Sequence, residues 1–204
     1  MPRIPFLNWA NQISLLRIGL VLAISYLLFI DSISFPYLSI KRLRVLAFFL
    51  AIITIFLDYV DGHIARKYNV GTKTGGVMDV LADRIVENVL WISFGILGLV
   101  NPAIPILILI RGLSTDALRS FAYARGATTF GMMTSFWGKA IVSSRISRGI
   151  SGGSKLITFP LVIFQYAFQL SYLTDIVVGF VLFTAAFTIL RGILVIYDSR
   201  RLFL

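Results

Sequence analysis

Apolar runs close to twenty residues long recur along this chain between short polar breaks, and about twenty apolar residues is the length at which an α-helix crosses a bilayer. Of the 204 residues, 58% are hydrophobic and only 14% are charged, where a soluble domain would carry about a quarter. The mean hydropathy is +0.89. These properties predict an all-α integral membrane protein with six transmembrane helices, near residues 12–29, 45–60, 77–100, 103–123, 156–174 and 175–196. A short N-terminal interfacial helix is expected over residues 3–10, with Trp9 at headgroup level. The breaks fall at 31–36, at 101–105 and in the Gly/Ser-rich stretch 144–155. No repeat or linker divides the chain, so residues 1–204 are expected to form a single membrane domain.

Lysines and arginines set the orientation, because short cytoplasmic loops collect them. With both termini inside, eleven loop cations fall on the cytoplasmic face and three, Lys41, Arg42 and Arg44, on the other. The net charge of +10 is spread among loops rather than gathered in a soluble basic domain, which excludes nucleic acid as a partner and suits the anionic headgroups of membrane lipid. With no cysteine, neither a disulfide framework nor a Cys-ligated metal is available. The N-terminal residues lack the pattern of a cleaved leader, so the first span is expected to stay in the mature protein.

Against this background the acidic residues are unevenly distributed. The chain has nine, and five of them lie between Asp58 and Glu87. An ionised side chain at the bilayer centre costs about 2.5–3.5 kcal/mol, so a compensating cation is required. Asp58 and Asp61, three apart, and Asp79 and Asp83, four apart, are neighbours on their respective helix surfaces. If a hairpin brings the two helix ends together, four hard oxygen donors converge near the cytoplasmic side. Arg66, Lys67, Lys73 and Arg84 could neutralise such a cluster as plain ion pairs; Mg²⁺ or Mn²⁺ also favours carboxylate oxygens, and a pair of such ions suits phosphoryl transfer. Gly62, Gly71, Gly75 and Gly76 favour the second reading, since they predict a loop whose backbone can approach a bulky ligand.

The stretch Asp58-x-x-Asp61-Gly62-x-x-Ala65-Arg66, then eight residues, then Gly75-x-x-x-Asp79-x-x-x-Asp83 resembles the signature of the CDP-alcohol phosphatidyltransferase family at every fixed position. The resemblance implies a Mg²⁺- or Mn²⁺-dependent transferase with two ions, taking a CDP-linked lipid and a small polar alcohol as substrates and releasing CMP. It also implies an active site facing the cytoplasm, in the cell membrane, and a homodimer. By match to the motif, Asp58, Asp61, Asp79 and Asp83 would ligate metal, with Asp83 also the catalytic base on the acceptor hydroxyl. Asp58, Asp61, Gly62, Ala65, Arg66 and Gly75 would form the nucleotide site.

Partial matches bear on the acceptor. Asn11-x-x-Ser14-x-x-Arg17 resembles the Asn-x-x-Thr-x-x-Arg opening of phosphatidylglycerophosphate synthases, with Ser for Thr. Arg111 with Ala117-Leu118-Arg119, and Gly138-Lys139, resemble further segments of that branch, although Gly112 replaces an expected Glu and the usual Lys-Thr after Lys139 is absent. Glycerol 3-phosphate is the acceptor these matches imply; inositol phosphate or another polar alcohol is the alternative. A phosphorylated acceptor needs cations, and Arg111, Arg119, Lys139, Arg145 and Arg148 are the candidates, arginine being suited to bidentate phosphate contacts. Headgroup anchoring is the competing role for Arg145 and Arg148. Arg191, inside the sixth predicted span, is read as lining the cavity or pairing with an acid, Glu87 as supporting the Asp79–Asp83 face, and His63 as a loop residue. An ion-coupled transporter is the reading from another class, since intramembrane carboxylates also mark ion pathways; the spacing of Gly62, Arg66 and Gly75 has no purpose there.

Overall fold

The computed structural model describes residues 9–30, 39–68, 73–124, 126 and 133–200, and within them the side chains other than those of 9–11, 59–68 and 73–74. Six α-helices make up most of this: α1 (Trp9–Phe29), α2 (Ile40–Tyr68), α3 (Lys73–Ile96), α4 (Ala103–Ala124), α5 (Arg145–Phe168) and α6 (Thr174–Ser199). A π-helical turn, Gly138–Ser143, precedes α5, and a 3-10 turn, Ser171–Leu173, leads into α6. Among the described residues two segments are long and apolar enough to cross a bilayer, Gln12–Phe29 and Ser171–Ser199. Both show large apolar side chains on their surface, including Leu15, Leu22 and Tyr26 on α1 and Leu182, Phe183 and Ile193 on α6, as lipid-facing helices do. The helices α3 and α4 carry charges in mid-course, Asp79, Asp83, Arg84 and Glu87 in one and Arg111, Asp116 and Arg119 in the other.

Three expected boundaries are moved by local chemistry. The Gly/Ser-rich stretch is helical, not a break, because Ser144 has extended backbone and its Oγ accepts the Ser147 N–H at 3.2 Å, an N-cap that starts α5 eleven residues ahead of the expected Leu156. The turn before α6 comes early, at Gln169, whose φ of 52° ends α5. There the Gln165 side chain donates to the Leu170 carbonyl at 3.0 Å. Of the expected loop glycines, Gly62 instead lies inside α2, where Ala65, Arg66 and Lys67 are strong helix formers, and Gly75 and Gly76 lie in the first turn of α3. Gly71 and the interfacial helix expected over residues 3–10 lie outside the described residues, apart from Trp9 and Ala10, which continue into α1.

The chain forms two compact units: residues 1–99 with 159–171, and 100–158 with 172–204. In the first, α1 packs on both α2 and α3. Val21, Ile24 and Leu28 of α1 are buried, as are Ala47 and Ala51 of α2, whose small side chains four residues apart allow close helix approach. Ser25 and Ser93 share a 2.8 Å hydrogen bond between α1 and α3. Trp91 of α3 meets Phe159 edge-to-face at 5.4 Å, and Phe94 lies 6.1 Å from the same ring. At the Ile40 end of α2, the Arg44 guanidinium lies 3.6 Å over the Tyr166 ring. Gly98, with φ of 68°, closes α3 while the Leu99 N–H bonds the Phe94 carbonyl at 2.9 Å, a glycine C-cap.

In the second unit α4 and α6 pack together, and α6 also carries the π turn. Its apolar centre is Ala122, Met133, Val142 and Val195. Thr158 and Thr184, both buried, hydrogen-bond at 2.8 Å between α5 and α6.

Candidate functional site

Asp79 and Asp83 sit one turn apart on α3, and Asp58 lies on α2 two thirds of the way along the helix. One ligand oxygen from each of the three lies within 4.8 Å of the others. The convergence expected of a helix hairpin is therefore realised for three of the four aspartates. The fourth, Asp61, falls with Gly62, His63, Ala65 and Arg66 in the part of α2 whose side chains lie outside the described residues; the helical backbone sets Asp61 one turn beyond Asp58. Gly75 begins the turn of α3 that leads to Asp79.

The cation facing these carboxylates comes from α1. Arg17 Nη2 is 2.8 Å from Asp58 Oδ1 and 2.5 Å from Asp83 Oδ1, and Nη1 is 3.2 Å from Asp79 Oδ1. Its side chain is 4% exposed, whereas those of Asp58, Asp79 and Asp83 are 41%, 49% and 53% exposed. The guanidinium thus lies beneath the cluster, and the carboxylates stay open on their outer side. One positive charge set against three leaves Arg17 unable to balance the cluster alone. Hard carboxylate oxygens this close together, open to solvent and with charge to spare, fit a divalent cation of the Mg²⁺ or Mn²⁺ type. Arg84, considered above as a counter-charge, reaches Glu87 on its own helix at 3.5 Å, and Glu87 is buried.

Arg17 was legible only as part of the Asn11-x-x-Ser14-x-x-Arg17 match. A stronger signal was present: it is the one charge in the apolar segment 12–29, and an ionised group there requires a partner.

The basic residues of the second unit form another group. Arg191 of α6 lies within electrostatic range of Arg119 and Arg111 of α4 and of Arg148 of α5. Arg111 runs across Gly192, so closely that a Cβ there would collide with its Cγ and Cδ. Arg119 pairs with Asp116 at 3.6 Å. Arg191, expected to line the cavity or pair with an acid, has main-chain partners: Nη1 donates to the Ser147 carbonyl at 2.9 Å and Nη2 to the Val142 carbonyl at 3.3 Å. It ties together the end of the π turn and the start of α5. Lys139, on the π turn, and Arg145, in the first turn of α5, are exposed. Sequence reasoning did not find Asp198, a buried carboxylate on α6 that accepts hydrogen bonds from the Ser135 N–H and Oγ–H.

Similarity to known proteins extends over most of the chain. The family model described as CDP-alcohol phosphatidyltransferase matches residues 7–190. A CDP-diacylglycerol--glycerol-3-phosphate 3-phosphatidyltransferase of Mycoplasma genitalium is 28% identical over 125 residues, 61% of this chain and 48% of the relative. An enzyme of the same name from Rickettsia typhi is 32% identical over 114 residues, 56% of this chain and 60% of the relative. A CDP-diacylglycerol--inositol 3-phosphatidyltransferase of Candida albicans is 45% identical over 42 residues, 21% of this chain and 18% of the relative. The chain thus spans about half the length of the curated relatives it matches. With three of the motif's aspartates converging on one point and the family match running from residue 7 to residue 190, the chain belongs to the CDP-alcohol phosphatidyltransferase family.

Proposed function

We propose that this protein transfers a phosphatidyl or archaetidyl group from a CDP-linked lipid to the hydroxyl of glycerol 3-phosphate, releasing CMP. The observation that carries the reading is the convergence of Asp58, Asp79 and Asp83 in the family's motif. Support for the acceptor comes from relatives named for glycerol 3-phosphate, matched over more than half of this chain, against 42 residues for the one named for inositol. The protein acts as one domain, since the family match runs through both compact units. The six helices and the distribution of loop cations support six membrane spans with the motif at the cytoplasmic side.

Asp58, Asp61, Asp79 and Asp83 hold two Mg²⁺ or Mn²⁺ ions, which when bound neutralise the diphosphate and stabilise the departing CMP. Gly62 and Gly75 present backbone without a Cβ to the nucleotide, beside Ala65 and Arg66. The acceptor hydroxyl gives its proton to an Asp83 oxygen as its own oxygen bonds to the lipid-bearing phosphorus, and the bond from that phosphorus to the CMP oxygen breaks. Arg111, Arg119 and Arg148, gathered around Arg191, hold the acceptor's phosphate, with Lys139 and Arg145 contributing charge at the surface. Guanidiniums this close to one another, Arg119 also pairing with Asp116, suit a phosphate-bearing acceptor better than a neutral alcohol.

The test is to incubate purified protein with CDP-diacylglycerol or its ether analogue, Mg²⁺ or Mn²⁺, and glycerol 3-phosphate, inositol phosphate or inositol, following CMP. The expected result is CMP release with glycerol 3-phosphate. CMP release with inositol phosphate alone would transfer the assignment to that acceptor, and none with any alcohol would overturn it.

A further inference from the structure

Arg17 is the only described cation that touches all three converging aspartates, and it does so from a buried position on α1 with both terminal nitrogens engaged. Its guanidinium contacts one oxygen of each of Asp58, Asp79 and Asp83 at once, from beneath, so it already draws on the negative charge that a cation bridging the same carboxylates would use. An ion held by these carboxylates would lie near a fixed positive charge, which opposes its binding. Arg17 and a divalent ion therefore compete for the charge of the same three carboxylates.

We propose that Arg17 is a tethered counter-ion that keeps the carboxylates assembled without a metal and, by competing for their charge, weakens their hold on a divalent ion. This rests on the reading of Asp58, Asp79 and Asp83 as metal ligands. Without a resident cation, three carboxylates brought within 4.8 Å of one another would repel and draw α2 and α3 apart. With Arg17 in place the helices fold with the site formed, and no metal is needed for that step. The same contacts lower metal affinity, because the guanidinium already offsets part of the negative charge that would attract the ion. Arg17 is thus a positioning residue: it acts on the reaction through the aspartates and sets how readily they load.

The measurement is a titration of purified protein with Mn²⁺ alone, with no lipid or nucleotide, following free Mn²⁺ by electron paramagnetic resonance, with a thermal melt in EDTA and in Mn²⁺. For Arg17→Gln the expected Mn²⁺ affinity is higher than wild type, by on the order of tenfold for loss of one charge competing for shared oxygens. Its melting temperature in EDTA is lower than wild type, and Mn²⁺ raises it by more than it raises wild type. Arg17→Lys, which keeps the charge but cannot fork between carboxylates, falls between the two in affinity and supplies the comparison if Arg17→Gln does not fold without metal. A merely structural arginine would lower the melting temperature without tightening the metal. Mn²⁺ affinity equal to or weaker than wild type in both variants overturns the inference while leaving the metal site intact. No Mn²⁺ binding by any of the three proteins overturns the metal reading and this inference together.

Discussion

The Asp198 carboxylate occupies the space where a side chain on Gly138 would begin. Asp198 Oδ2 accepts the Ser135 Oγ–H at 2.9 Å and the Ser135 N–H at 3.3 Å, while Ser135 Oγ accepts the Gly138 N–H at 2.9 Å. Seven residues earlier on α6, a spacing that returns to the same face, Arg191 bonds the carbonyls of Val142 and Ser147. One face of α6 thus fastens both ends of the π turn that bears Lys139. Irregular turns of this kind recur at functional sites, and this one is held by buried polar groups whose partners are all backbone or hydroxyl.

Gly138→Ala is expected to destabilise the protein by about 1–3 kcal/mol, because the methyl must displace a carboxylate that is itself hydrogen-bonded in a closed space. Asp198→Ala should cost a similar amount for a different reason, leaving the Ser135 donors without their acceptor. The two losses should not add. Once Asp198 is removed the methyl has room, so the double variant should recover roughly 0.5–3 kcal/mol relative to the sum. Denaturation in detergent of the four proteins of the cycle measures this, and strict additivity would contradict the packing described.

Gly192→Ala tests the basic group from the side of its support. The added methyl meets Arg111 Cγ and Cδ, a flexible chain that can swing aside, so folding should be little affected. The guanidinium moves with it. The KM for glycerol 3-phosphate should rise about tenfold, the size of one weakened charge-assisted contact, with the KM for the CDP-lipid unchanged. Equal rises in both constants would remove Arg111 from the acceptor's phosphate.

How much of this was legible beforehand depended on whether the information was local. The helices follow from apolar runs, and the sharing of a face by Asp79 and Asp83 follows from their spacing of four. The start of α5 was missed because its cap is a serine hydroxyl, while the surrounding glycines resemble a break. Arg17 was recognised within a motif, yet its partners on α3 lie 62 and 66 residues away, and spacing carries no information about such contacts. The partners of Arg191 were hidden for a related reason: its acceptors are main-chain carbonyls, which have no signature in a sequence. Arg111 and Arg119 do share one helix, α4, because the apolar run that contains Arg111 continues as helix through Arg119.

Asp83→Asn separates the proposed base from the scaffold. Arg17 would retain Asp58 and Asp79, so the helix packing should persist and the circular dichroism spectrum should match wild type. CMP release should fall by at least about a hundredfold, the lower end of what a positioned general base contributes. The amide cannot accept the proton from the attacking hydroxyl. Turnover like that of wild type would reassign the base to another carboxylate.

Removing divalent ions should separate folding from activity. In EDTA the proposed reaction loses the charge that neutralises the diphosphate, and CMP release should cease; Mg²⁺ or Mn²⁺ should restore it. The helical circular dichroism signal should be unchanged by EDTA, because α1 supplies its own cation to the aspartates of α2 and α3. That outcome differs from a structural metal site, where folding free energy comes from the ion and a chelator unfolds the protein. A cooperative loss of helix in EDTA at a temperature where the loaded protein is stable would show that Arg17 does not hold the site by itself. CMP release that continues in EDTA would instead remove divalent ions from the reaction altogether.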